Sequence, residues 1–168
     1  IEMSLASGLG LLDEKDRNCM YTSSFGTGEL INDAIKKGAT TINLYVGGSA
    51  TNDCGIGIAS ALGFKFYDSS NNLLSPVGKN LMLINRIDKS NVQFNFQDIK
   101  VKVITDVNNI LYGKNGAAYI YAAQKGASPI EIEKLDKGLL NFESKLRAHG
   151  FPSIAKIPGS GAAGGVGG

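Results

Sequence analysis

The sequence predicts a domain that mixes strands and helices, of the α/β or α+β class. Three observations predict it. The apolar run Thr41–Val46 empties through glycines into a small-residue helical segment. Residues 99–105 alternate lysine with valine in the manner of a strand. Residues 128–149 carry apolar side chains spaced three and four apart behind a helix-start signature. At 168 residues the chain is long enough for one domain with a real core.

In chain order, Ile1-Glu2-Met3 reads as the tail of a strand, and residues 4–24 as loop, broken by Gly8, Gly10 and Asn18. A helix follows, with Leu30, Ile31, Ala34 and Ile35 on one face. Thr27 or Gly28 is expected to open it, Glu29 to sit in its first turn, and Gly38 to stop it. Thr41–Val46 reads as a buried strand and Ile56–Leu62 as a short helix ended by Gly63. Phe64–Tyr67 reads as a strand and Asp68–Asn72 as a turn. Residues 73–98 have no readable period. Ile99–Thr105 is the clearest strand, with one wet face near its start. In the last helix Ser128-Pro129-Ile130-Glu131 combines a capping box with proline at the first helical position. Ile132, Leu135, Leu139, Phe142 and Leu146 then descend one face, and Gly150 and Pro152 end the helix.

Composition excludes several functions. The 19% charged fraction nets only +2, with no basic stripe among aromatics, which argues against nucleic acid. No apolar run approaches the ~20 residues of a membrane span. Cys19 and Cys54 lack zinc-site or disulfide-framework spacing, and a reduced, cytoplasmic setting is expected.

The chemistry gathers in Gly47-Gly48-Ser49-Ala50-Thr51-Asn52-Asp53-Cys54-Gly55. A strand that feeds a helix through glycines can turn backbone N–H groups toward an anion. Two readings stay open, an anion cradle and a tight strand-to-helix connection. The loop is not a P-loop, since no Lys-Ser/Thr pair follows it at the required spacing. Gly55-Ile56-Gly57 lacks the rest of a dinucleotide fingerprint, and Ser49 lacks the second flanking glycine of a nucleophile elbow. Asp53 and Asp106 are turn formers or, on the functional reading, a base or magnesium ligand for phosphoryl transfer. Lys125 is a phosphate contact or a solvated lysine before a helix-ending glycine. His149, the sole histidine, is expected to be structural in the last turn of its helix.

At these residues the chain resembles the bacterial glycerate kinases. The matching segments are Ile1–Leu9, Gly26-Thr27-Gly28-Glu29-Leu30-Ile31 and Gly47–Asp53. Asp106-Val107, Asn115–Ala118 and Gln124–Ala127 continue the match, and Pro158–Gly165 completes it. The resemblance runs over essentially the whole chain, and Gly-Gly-Ser-Ala-Thr-Asn-Asp is a highly specific string. It implies a mixed-sheet α/β domain and ATP-dependent phosphorylation of glycerate with magnesium. It also implies a chain about twice as long, in which a flavodoxin-like domain packs against this one and the site lies in the cleft between them. On that reading the sequence is an internal fragment, inactive alone, and self-association is left open.

The resemblance makes Asp106 the base or metal ligand, with Asp53 second. Gly47, Gly48, Ser49, Ala50, Thr51, Asn52 and Lys125 would hold the glycerate carboxylate or a phosphate. Gly159, Ser160, Gly161, Gly164 and Gly165 would let backbone approach a ligand. Cys54 stands where the family usually has glycine, Asn108 and Ile110 where it has Thr and Pro, and Ala122-Ala123 where it has Gly-Pro. A non-catalytic anion-binding or regulatory domain is the alternative.

Overall fold

The computed structural model describes residues 1–168 and is a mixed α/β fold with one parallel and one antiparallel strand pair. Strand β1 (Thr41–Tyr45) runs parallel to β4 (Lys100–Ile104), in register from Thr41 opposite Lys100 to Tyr45 opposite Ile104. Residues 1–3 run along the other edge of β1. The Met3 N–H donates to the Tyr45 carbonyl and the Tyr45 N–H to the Ile1 carbonyl, each at 2.9 Å. The strand tail expected at Ile1-Glu2-Met3 is therefore paired. A single turn, α1 (Ser4–Ser7), leads away from it.

Helix α2 (Phe25–Lys36) covers one face of β1. Met3, Ile31, Ile42, Leu44, Val46 and Leu62 form the core beneath it. Three expectations are corrected here. Strand β1 is buried on one face only, because Thr41, Asn43 and Tyr45 have no layer over them. Strand β4 has no dry face at all, and Val101 is 50% exposed. It lies at the sheet edge, beyond the reach of the helical layer. Helix α2 also opens earlier than Thr27 or Gly28. Ser24 holds the cap position, and Thr27 sits buried in the first turn, its hydroxyl donating to Ser7 Oγ at 2.8 Å.

A second, larger core surrounds α5 (Pro129–Ala148). The capping box forms, and the Ser128 N–H donates to Glu131 Oε2 at 2.8 Å. Leu135, Leu139 and Phe142 are buried as the spacing requires. Phe142 meets Phe66 edge-on at 5.8 Å between ring centres, a geometry worth about 1 kcal/mol beyond area burial. His149 closes the helix, its Nδ1 2.8 Å from the Lys145 carbonyl. Short helix α3 (Ile56–Ala61) and strand β2 (Lys65–Tyr67) follow the glycine loop.

Residues 73–98 contain a 3-10 turn at Gly78–Leu83 and strand β3 (Arg86–Asp88), antiparallel to β2. Their order comes from α5. Leu81 is fully buried against Gly138, and Asn141 Nδ2 donates to the Leu81 and Ile84 carbonyls at 2.9 and 3.0 Å. Helix α4 (Ala117–Tyr121) packs beside α5.

Candidate functional site

A cleft of about 200 Å³ opens at the carboxyl ends of the parallel strands, the place where open α/β sheets bind ligands. β1 delivers Val46, Gly47, Gly48 and Ser49 to it, and β4 delivers Thr105, Asp106 and Val107. Tyr121, Gln124 and Lys125 form another wall, completed by Leu9, Ala162 and Ala163. The glycine loop is tied down from behind. The Leu9 N–H donates to the Gly48 carbonyl at 2.9 Å, and the Ala50 N–H to the Ser7 carbonyl at 2.8 Å. Gly48 takes φ +68, a left-handed conformation that a side chain would strain. The N–H groups of Gly47, Gly48 and Ser49 donate to no acceptor of the chain, which leaves them free for an anion.

Lys125 is buried, not solvated. Its ammonium donates to Ser49 Oγ and to the Thr51 carbonyl, both at 2.8 Å. Burial pulls it down to about 8, against the opposing pull of Cys19 and Asp53. Asp106 is exposed at the end of β4, and its carboxylate carries no hydrogen bond or ion pair within the chain. Tyr121 donates to Asn109 Oδ1 at 2.5 Å. Partial burial and the Asp106 charge push its phenol up, so it remains a donor. Local patterning did not single out Tyr121, because only the packing of α4 in the folded chain brings it to the cleft.

The remaining candidates lie behind it. Asp53 is fully buried and does not line the cleft. Its carboxylate accepts from the Ser24 N–H at 2.7 Å, Ser24 Oγ at 2.8 Å, the Gly55 N–H at 3.1 Å and the Gly57 N–H at 3.3 Å. Burial raises its pKa while these donors oppose the rise. It ties the start of α2 to the start of α3, a placement that does not suit a base or metal ligand. Ala50, Thr51 and Asn52 are likewise buried away from the cleft. The Thr51 hydroxyl and both amide atoms of Asn52 have no partner.

The closing glycine run approaches backbone rather than a ligand. Gly164, at φ +71, passes so close to Thr51 and Asn52 that a Cβ would collide with their main chain. Gly165 packs on Cys54, and Gly159, Ser160 and Gly161 are buried. From this run only Ala162 and Ala163 reach the cleft, and Ala163 is held left-handed at φ +51. Cys54, at φ +51, shares that conformation. Both cysteines are free, and burial pushes their thiols up, Cys19 to about 11.

No group of three or more His, Cys, Asp or Glu side chains is placed to hold a metal. Magnesium keeps several waters and takes one or two carboxylates together with substrate phosphates. A single unpaired Asp106 therefore fits a magnesium ion that arrives with a nucleotide. No helix is long and apolar enough to cross a membrane.

The glycerate kinase family profile matches residues 1–168. The chain is 43% identical over 167 residues to a glycerate kinase of Halalkalibacterium halodurans, covering 99% of this chain and 44% of that protein. It is 42% identical to the glycerate 2-kinase of Escherichia coli K12, again over 99% of this chain and 44% of that protein. A crystal structure of a Salmonella typhimurium LT2 protein assigned as glycerate kinase 2 superposes with a TM-score of 0.94 at 38% identity. That match covers 99% of this chain and 44% of the other. The chain thus spans less than half the length of these relatives. Matched from its first residue to its last, it belongs to the glycerate kinase family.

Proposed function

We propose that this chain supplies the acceptor side of an ATP-dependent glycerate kinase. One observation carries the reading. A carboxylate with no partner, Asp106, lines the same small cleft as the free N–H groups of Gly47–Ser49 and the buried Lys125. Glycerate offers each what it lacks, a carboxylate for the donors and a hydroxyl for the acceptor. At interior packing density a three-carbon acid fills on the order of 100 Å³. The cleft of about 200 Å³ therefore has room for glycerate and a phosphoryl group.

In the reaction, Gly47, Gly48, Ser49 and Lys125 hold the glycerate carboxylate. Asp106 takes the proton of the attacking hydroxyl as it forms a bond to the γ-phosphorus in line with departing ADP. Were Asp106 instead to hold magnesium together with nucleotide phosphates, the ion would neutralise charge on the transferring group. The flavodoxin-like domain implied by the resemblance would contribute the rest of the nucleotide site and exclude water on closure. Two free thiols, Cys19 buried and Cys54 partly buried, suit a reducing cytoplasm.

The test is ADP release by the full-length protein with ATP, magnesium and D-glycerate. Glycerate-dependent ADP should fall at least ~100-fold in Asp106→Asn, the scale of a lost general base. No glycerate-dependent ADP from the folded protein would leave a non-catalytic anion-binding domain as the better reading.

A further inference from the structure

Lys125 is a buried cation that makes no ion pair within the chain. Its side chain belongs to a residue only 4% exposed, yet it lines the cleft. The ion pairs of the chain join Lys15 to Asp13, Lys37 to Asp33 and Arg86 to Asp88, all elsewhere. An ammonium has three donors, and two of them are taken by Ser49 Oγ and the Thr51 carbonyl, neither of which carries charge.

The titratable groups around it do not fill the gap. From the segment before α2, Cys19 presents a thiol that stays protonated well above neutral pH. From the glycine loop, the Asp53 charge opposes the fall of the Lys125 pKa from a distance, but its carboxylate is occupied by four donors at the starts of α2 and α3 and makes no ion pair with the ammonium. Glu131, at the start of α5, is engaged by Asn18 and Ser128. Elsewhere along the cleft lining are Asp106 and the Tyr121 phenol, neither bonded to Lys125.

An uncompensated charge in such a place is costly, and the chain relieves the cost by losing a proton or by gaining an anion. We propose that the missing counter-charge of Lys125 is the ligand, so that an oxyanion entering the cleft binds with uptake of a proton by the Lys125 amine. This rests on the reading of the cleft as the acceptor site and adds a regulatory property to it. The free amine titrates near 8. An anion beside it favours the charged form. Linkage then requires binding to weaken as pH rises through and above 8, by up to about tenfold per pH unit. Carboxylate and phosphoryl oxygens share this chemistry.

The experiment is isothermal titration calorimetry of the full-length protein in two buffers of different ionisation enthalpy, at pH 6 and pH 8. D-glycerate is the carboxylate probe and sulfate the phosphoryl-like probe. Both stay fully ionised across this range. The expected uptake is roughly half a proton per bound anion at pH 8 and close to none at pH 6. Whichever anion shows it identifies the group that Lys125 meets. Lys125→Arg, charged throughout, should bind without uptake. Lys125→Met should bind at least tenfold more weakly, and any remaining binding should take up no proton.

Anion binding at pH 8 with proton uptake from neither probe overturns the inference, as does uptake that persists in Lys125→Met. Failure of both anions to bind at tens of millimolar overturns it too. Glycerate-dependent ADP without uptake would sink this inference and leave the kinase reading standing. Uptake with sulfate but no glycerate binding and no glycerate-dependent ADP would do the reverse.

Discussion

Two aspartates flank the glycine loop and the end of β4, and their surroundings give them different work. Asp106 has no partner, whereas Asp53 is saturated by backbone and hydroxyl donors. The sequence put both forward because Asp53 lies in the glycine loop and Asp106 at a strand end, and a one-dimensional pattern cannot distinguish a carboxylate facing solvent from one facing N–H groups. Asp53→Asn sets an amide N–H₂ against at least one of those donors. It should destabilise the folded protein by about 1–3 kcal/mol, a fall of several degrees in melting temperature. Asp106→Asn should leave the melt unchanged. Thermal denaturation of the two variants side by side decides this, and equal melts with equal loss of turnover would return Asp53 to the chemistry. Lys125 carries the same lesson. Gln-Lys-Gly at a helix end reads as a surface lysine, and only the folded chain places it beneath Ser49.

At the scale of elements, strong local signals were legible and weak ones were not. The capping box, the proline and the three-four spacing placed α5 within a residue of its observed bounds. Residues 73–98 were silent because their structure is imposed from outside. The Leu81 turn is ordered by burial against α5 and by Asn141, both distant in sequence. Leu139→Ala tests the importance of that helix, since Leu139 is fully buried in the larger core. It should cost about 2–5 kcal/mol, measured by urea denaturation. A loss under 1 kcal/mol would mean that the core around α5 collapses to fill the gap and is less rigid than its packing indicates. The misjudged faces of β1 and β4 have one cause, because periodicity reports side-chain alternation and not whether a layer covers it.

For the whole molecule, two cores meet along the 47–57 loop, and the cleft lies at their junction. The cleft depends on the docking of five segments that are remote in sequence. On the proposed reading the cleft takes the small acid, and the second domain supplies the rest of the nucleotide wall. The 168-residue chain by itself should therefore release no glycerate-dependent ADP at a sensitivity of about 10⁻⁴ of the full-length rate, because phosphoryl transfer depends on positioning both partners. An assay of the isolated chain beside the full-length protein checks this. Turnover by the chain alone would mean that the whole nucleotide site lies within these residues.

The α/β class, the long helix, the loop and the family could be read from residue order alone. Each rests on local signals such as caps, glycines and apolar periods, or on a contiguous string of residues. Which polar groups face the cleft was settled by three-dimensional packing. The close approach of Gly164 to Asn52, the enclosure of Asp53 between two helix starts and the burial of Lys125 under Ser49 join residues far apart along the chain. The chemistry of a charged group is set by its donors, its neighbours and its access to water. Those are properties of the assembled fold.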